Sequence, residues 1–441
     1  MISGRDGILI KFKKINILKI ILINICVLTF IVGIYFTAIV LFKIPNSMAI
    51  TLSYFLSQIS GFLTILYILT TILLLKLLST RYKKKAWISK TILIFGFSLA
   101  LLNSLPLIST PFSIQNAENE FNLAYGSNWR STIPNQVESY MSPTQFNLYG
   151  YFLGFPIKDC NVDVDVLYYE NNGIRLYFDA YYPKGDRSNL PGNNSVIIKI
   201  HGGSWQFGDK SLGNVLVLNK YLAAQGYIVF DIQYGLLDAG GSSFIPTPDY
   251  VRGNVTLSDM IYQIGNFTKR LENEYASIYN ANLNAVFIMG GSAGGHLTAV
   301  CGLGYNDPYF AGNFSSALNI KGIVPIYPPN FAARYFDEEP LTRLIPGDPI
   351  SNPTAYAKFT PSNLADAGDP PALIFQGLRD DLVSIDNAET IKSALISNGV
   401  NCMLLTFPFA AHASDLIVGN SYSQVWTYYL ERFLYISQFS S

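Results

Sequence analysis

The stretch Ala285-Val286-Phe287-Ile288-Met289-Gly290-Gly291-Ser292-Ala293-Gly294-Gly295-His296 decides the fold of this chain. Its first five residues form a short apolar run of the length expected for a buried strand. Ala293 to Gly302 then reads as a helix. Between them, Gly290 to Gly294 fits the pattern G-x-S-x-G. A sharp strand-to-helix turn crowds the backbone around its central serine. Glycines two residues to either side let the chain pass closely, which leaves Ser292 exposed above the sheet. The positive end of the helix dipole lies beneath its oxygen. The pattern alone is weak in a chain with 34 glycines, and a turn carrying an ordinary hydrogen-bonded serine competes with it. Its position between a strand and a helix makes it specific.

Working outward, the same alternation recurs. Ser195–Ile200, Tyr227–Asp231, Ile320–Ile326, Ala372–Phe375 and Cys402–Phe407 are short runs rich in Val, Ile, Leu and Phe. Helical stretches separate several of them, at Ser211–Ala224, Leu257–Tyr275 and Asn387–Ser397. Upstream, Val162–Tyr169 and Ile174–Tyr182 flank Asn171-Asn172-Gly173 and read as a β-hairpin. The expected class is α/β, with a mostly parallel, doubly wound sheet covered on both faces. No repeat period is present.

His201-Gly202-Gly203-Ser204-Trp205 follows the strand Ser195–Ile200. Attack of a serine on an acyl carbon creates an oxyanion that needs preorganised N–H donors. The backbone N–H groups of Gly203, Ser204 and Ala293 are the expected donors, and a tight loop after a strand is the competing reading. The serine also needs a base that titrates near neutrality. The chain has three histidines. His201 sits in the donor loop and reads as its brace. His296 follows the turn and reads as a packed helix residue. His412, just after the last strand, is the expected base. For the acid that fixes its tautomer, Asp380 and Asp381 compete. Asp380 is preferred because it fits a G-x-x-D-x-x-V spacing in Gly377–Val383. Asp415 reads as a cap. Asp159, Asn161, Asp163 and Glu170 mimic calcium-loop spacing, but Val164 stands where the sharp turn needs Gly, and the alternation reads better as the outer face of a strand. No metal site, phosphate loop or dinucleotide fingerprint emerges, so no cofactor is expected.

The first 112 residues are a different physical object. They hold 12 Lys and Arg against one acid, whereas the remainder holds 18 basic and 29 acidic residues, a net charge of −11. Apolar runs at Ile20–Phe42, Ala49–Leu75 and Thr91–Ile108 suit membrane helices, which need roughly 20 apolar residues. Basic residues precede the first run and lie between the second and third, whereas Lys43 stands alone in the first loop. Positive-inside reasoning places both basic segments in the cytoplasm. Three crossings then put the body outside it; if the third run does not span, the body faces inward. The basic residues flank apolar runs, so membrane topology explains them better than nucleic-acid binding. Sequons at Asn193, Asn254, Asn266 and Asn313 suit an exported body. Cys26, Cys160, Cys301 and Cys402 match no metal spacing and read as buried thiols, with one disulfide among the last three left open. The expected organisation is a membrane region at 1–112, a linker with an amphipathic segment at 113–160, and a catalytic domain at 161–441.

With these residues in hand, the chain from about Val162 to Phe439 resembles the α/β-hydrolase superfamily, in its esterase branch with an HGGxW loop. That branch includes hormone-sensitive-lipase-like carboxylesterases, acetyl-xylan and feruloyl esterases, and prenylcysteine methylesterases. The motifs carrying the resemblance are His201–Trp205, Gly290–His296, Gly377–Val383 and the loop around His412, with serine, acid and histidine in the superfamily's order. The head, with Ala117–Phe121 and Trp129-Arg130, also resembles microbial hydrolases bearing three N-terminal membrane helices. The resemblance implies a membrane-anchored serine carboxylesterase with the triad Ser292, His412 and Asp380, acting on a small-molecule or lipid ester. A lipase or peptidase on the same fold, or an inactive binding module, are the alternatives. Two departures stand out: Tyr234-Gly235-Leu236-Leu237 replaces a Tyr-Arg-Leu-type loop, and Ala413 follows the histidine where relatives often have Gly. The insert Tyr327–Asp366 is expected to wall the substrate site.

Overall fold

Each apolar run of the body becomes a strand of one sheet. The computed structural model describes residues 17–78, 86–154, 158–185, 189–212, 215–241, 243, 245–336 and 339–439. The flanking residues Arg5, Lys11, Lys13, Lys14, Arg81, Lys83, Lys84 and Lys85 lie outside the described residues. The chain forms two compact units, one of Met1–Leu41 and Ser60–Ser104, the other of Phe42–Ile59 and Leu105–Ser441.

In the larger unit the strands of the main sheet are β1 (Asn161–Asn171), β2 (Ile174–Tyr182), β3 (Ser195–Ile200), β4 (Ile228–Ile232), β5 (Asn282–Gly291), β6 (Ile320–Ile326), β7 (Ala372–Gly377) and β8 (Cys402–Phe407). They lie in the order β1-β2-β4-β3-β5-β6-β7-β8. β1 pairs antiparallel with β2, and β2 with β4; the pairs from β4 to β8 are parallel. The first hairpin turns at Asn172 and Gly173, both at positive φ (49° and 81°), as a tight two-residue turn requires. This is the α/β-hydrolase arrangement, with β5 near the centre.

The period of two along each strand divides the core into two layers. Val196, Ile198, Ile200, Phe230 and Ile288 face one layer, while Ile197, Val229, Phe287, Met289 and Phe375 face the other. The first layer is closed by residues of three helices in Leu257–Arg270, Ala293–Leu303 and Ile385–Ser397. The second is closed by Thr110–Tyr125, Val215–Ala224 and Ser421–Gln438. Leu257–Arg270 starts with a capping box between Thr256 and Asp259. The helix Ser421–Gln438 was not legible as a separate amphipathic pattern because nearly all of it is buried, polar residues included. Its Glu431 carboxylate accepts from Tyr221 at 2.6 Å, from the Ser142 N–H at 2.9 Å and from Gln225. Burial still pushes that carboxyl above its ordinary range.

The expected boundaries at 112 and 160 differ from those of the packed units. Thr110–Tyr125, which overlaps the expected amphipathic segment, is a helix that covers the edge strand β8. Asn116 Oδ1 accepts the Thr406 N–H at 2.8 Å and Glu120 Oε2 accepts the Leu404 N–H at 3.0 Å. An uncovered edge would leave those groups open to another chain. Phe121 on the same helix is fully buried against Trp129 and Tyr429, which stabilises the docking by roughly 2–3 kcal/mol.

The smaller unit is built from apolar helices. Ile17–Leu41, Ser60–Leu78 and the helical stretch from Ala86 are long and apolar enough to cross a membrane, by length and composition. Within it Asn103 donates to Thr37 at 2.7 Å, and Phe30 meets Phe95 edge-on. The run Ala49–Leu75, expected as one helix, is broken into Ser47–Leu56 and Ser60–Leu78. The break falls at Ser57-Gln58-Ile59, where the Gln58 amide is buried among polar partners of the larger unit. Hydropathy averaged over a window cannot register that single polar anchor.

Candidate active site

Strand β5 ends at Gly291 and the next helix begins at Ala293. Ser292 between them has φ 55° and ψ −121°, a conformation that non-glycine residues rarely adopt. It is held by the Ser292 N–H donating to Ile326 O and by its own carbonyl accepting from the His296 N–H, both at 2.9 Å. Gly294 explains the small residues of the turn: a Cβ there would lie 2.2 Å from Ile200 O. The helix therefore starts directly against the end of β3, which also carries the His201–Trp205 loop.

His412 follows β8 and is 5% exposed, with its ring between the two residues expected to flank it chemically. Nε2 lies 2.9 Å from Ser292 Oγ, and Nδ1 lies 2.8 Å from Asp380 Oδ2. An ionised carboxylate can only accept, so Nδ1 donates and Nε2 is left to accept the serine proton. Asp380 is itself fixed. Its Oδ1 accepts the N–H groups of Leu382 at 2.9 Å and Val383 at 2.7 Å, and Gln376 Nε2 reaches Oδ2 at 3.3 Å. Asp381 instead lies 3.6 Å from Lys43, and burial raises its carboxyl above the ordinary value. Of the two rivals, the structure brings Asp380 to the histidine. Asp415 accepts from the Tyr327 hydroxyl at 2.6 Å rather than capping, and the Tyr327 ring packs on His412 at 4.5 Å.

The loop after β3 rests on the serine turn. A Cβ at Gly202 would meet Gly291 O at 2.7 Å. Gly203, Ser204 and Trp205 all have positive φ. Among the described residues, the N–H groups of Gly203, Ser204 and Ala293 have no hydrogen-bond acceptor. Around them the loop is braced. Tyr234 stacks on the His201 ring at 4.5 Å and donates to His201 O at 3.0 Å, and the Leu237 N–H donates to Trp205 O at 2.9 Å. The departure at Tyr234–Leu237 thus supports this loop. His296 Nε2 donates to Phe359 O at 2.7 Å, and burial lowers its pKa to about 4, so it stays neutral. The insert Tyr327–Asp366 contributes Phe336, which packs on Trp205 and His296 at 4.7 and 5.8 Å.

Tyr327, Gln376, Lys43, Tyr54 and Gln58 also reach the site, and no motif in the sequence marks them for it. Tyr54 places its ring 5.9 Å from that of His412, and Lys43 Nζ donates to Asp380 O at 2.8 Å. More than 330 residues separate these partners, so no local signal could have joined them. All four cysteines are buried and free. Among the described residues, no cluster of three or more His, Cys, Asp or Glu could hold a metal ion.

A protein-family profile described as BD-FAE matches residues 264–395, a span holding Ser292 and Asp380 but not His412. The probable carboxylic ester hydrolase LipM of Mycobacterium tuberculosis is 27% identical over 237 residues, covering 52% of this chain and 51% of that one. Isoprenylcysteine alpha-carbonyl methylesterase ICME of Arabidopsis thaliana is 23% identical over 287 residues, 61% of this chain and 59% of that one. The chain spans about half the length of the curated relatives it matches. Thermogutta terrifontis esterase 2 phosphonylated by cyclosarin superposes with a TM-score of 0.47 at 22% identity, over 63% of this chain and 92% of that one. The strand order is that of an α/β-hydrolase fold, and in the matched region the chain is similar to carboxylic ester hydrolases.

Proposed function

We propose that the protein is a membrane-anchored serine carboxylesterase. The observation carrying this reading is the chain of hydrogen bonds from Ser292 Oγ through both nitrogens of His412 to Asp380, at 2.9 and 2.8 Å. Ser292 Oγ attacks the ester carbonyl while its proton passes to His412 Nε2. Asp380 holds the Nδ1–H and stabilises the imidazolium. The N–H groups of Gly203, Ser204 and Ala293 receive the oxyanion. Collapse of the tetrahedral intermediate expels the alcohol, which takes the proton from Nε2. Water then repeats the sequence on the acyl-serine and releases the acid.

Membrane anchoring and an extracytoplasmic active site belong to the same proposal. The flanking charges support them, and so does Phe42–Ile59. This segment joins the first two apolar helices, yet it folds with the catalytic unit. In this reading one crossing precedes the segment, and the next two, by Ser60–Leu78 and the stretch from Ala86, bring the following chain back to the same side. The substrate is a small-molecule or lipid ester.

Full-length protein should hydrolyse short-chain p-nitrophenyl esters and label with a fluorophosphonate, and Ser292→Ala should abolish both. Hydrolysis that survives Ser292→Ala removes Ser292 from the mechanism. A wild-type chain that neither labels nor hydrolyses favours the inactive binding module, and a preference rising with acyl length favours a lipase.

A further inference from the structure

Two of the three loops that carry the proposed triad are tied to one distant piece of chain. The segment Phe42–Ile59 contains the helix Ser47–Leu56, capped by Asn46, whose side chain accepts from the N–H groups of Met48 and Ala49. Gln58 follows that helix and is 2% exposed. Its Oε1 accepts from the Ile417 N–H at 2.8 Å and from Asn420 Nδ2 at 2.7 Å, while its Nε2 donates to Ala413 O at 3.2 Å. Those acceptors and donors are the two ends of the turn that begins at His412.

That turn needs holding. Ala413 has φ 56°, a left-handed conformation that disfavours any residue with a Cβ. Asn420 extends the tie inward, donating to Ser414 O at 3.0 Å and Ile417 O at 2.7 Å. From the other side, the Tyr151 hydroxyl donates to Gln58 O at 3.0 Å and fixes the glutamine backbone. At the other end of the segment, Lys43 donates to the Asp380 carbonyl and pairs with Asp381. Between the two ties, the Tyr54 ring rests beside His412.

We infer that Gln58 and Lys43 are positioning residues for ester hydrolysis: the segment between the first two apolar helices sets the His412 and Asp380 loops, so the body is fully active only with that segment folded in place. This rests on the esterase reading above. Gln58 acts through Ala413 and Ile417, and Lys43 through the Asp380 backbone; neither touches the reacting atoms. A loop that relaxes by a fraction of an ångström loosens the His412–Ser292 bond, and misplacement of about 1 Å can cost a hundredfold in rate.

The experiment uses the full chain in detergent micelles or lipid nanodiscs. Active sites are titrated with a fluorophosphonate, and kcat per labelled site and KM are measured on p-nitrophenyl acetate. Gln58→Met should lower kcat per labelled site by about tenfold or more with KM within about twofold. Lys43→Met, at a half-exposed side chain that the fold tolerates, should lower kcat several-fold, and Lys43→Arg should restore it. A purely structural role would reduce the number of labelled sites and leave kcat per site unchanged. Unchanged kcat per site in both Gln58→Met and Lys43→Met, with an active wild type, overturns this inference alone. A wild type that neither labels nor hydrolyses overturns the esterase reading and this inference with it.

Discussion

Asp380→Asn and Asp381→Asn form a paired perturbation whose outcomes the geometry sets far apart. The Asp380 side chain is fully buried, and its two oxygens have different partners. Oδ1 accepts two backbone N–H groups, from Leu382 and Val383, whereas Oδ2 faces His412 Nδ1. In Asp380→Asn the amide has one acceptor oxygen, and the two N–H groups at the Oδ1 position claim it. The NH₂ then points at His412 Nδ1 and forces that nitrogen to accept. The proton moves to Nε2, which can no longer take the serine proton. The wrong tautomer costs about 10³–10⁴-fold in kcat, or roughly 4–5.5 kcal/mol of transition-state stabilisation. Asp381 is paired with Lys43 and turned away from the histidine, so Asp381→Asn should change kcat by less than about threefold. The assay is p-nitrophenyl acetate hydrolysis normalised to fluorophosphonate-labelled sites, with thermal unfolding as a check on folding. Retention of a tenth or more of wild-type kcat by Asp380→Asn, or a collapse in Asp381→Asn, would refute the assignment of the acid.

Two further outcomes follow from packing and burial. Glu120→Ala removes the acceptor of the Leu404 N–H and the partner of Lys392 at 2.6 Å; it should destabilise the larger unit by about 1–3 kcal/mol, seen as a lower unfolding midpoint with kcat per labelled site unchanged. His296 has its pKa lowered by burial from 6.5 to about 4, so between those values the unfolded chain binds a proton that the folded chain refuses. Its contribution to stability is therefore present above about pH 6.5 and is lost as pH falls towards 4, by roughly 3 kcal/mol. Denaturant titrations of wild type and His296→Gln across that window should converge at low pH, and parallel curves would show that His296 is not the group responsible.

The site was legible in the sequence to the extent that its parts are local. Ser292 stands in a five-residue pattern between a strand and a helix, and the turn's backbone constraints are written into Gly290 and Gly294. His201–Trp205 and Gly377–Val383 are likewise short motifs at strand ends. The alternation of strands and helices was enough to place these motifs along one edge of a parallel sheet. Asp380 was separated from Asp381 only by spacing, and it is the orientation of the loop after β7 that turns one carboxylate to His412 and the other to Lys43.

What the sequence by itself determined is the set of motifs and the class of fold, because hydrophobic period and turn chemistry act over a few residues. What only the tertiary structure decided is who holds those motifs in place. The edge of β8 is closed by Asn116 and Glu120 from a helix almost 290 residues earlier, and the buried Glu431 finds Tyr221 and Ser142. Gln58, in what reads as one uninterrupted apolar run, breaks that run and ties the His412 turn from some 360 residues away. A buried amide can be satisfied by any correctly placed donor and acceptor, so nothing in its neighbouring residues names its partners; only the folded chain brings them together.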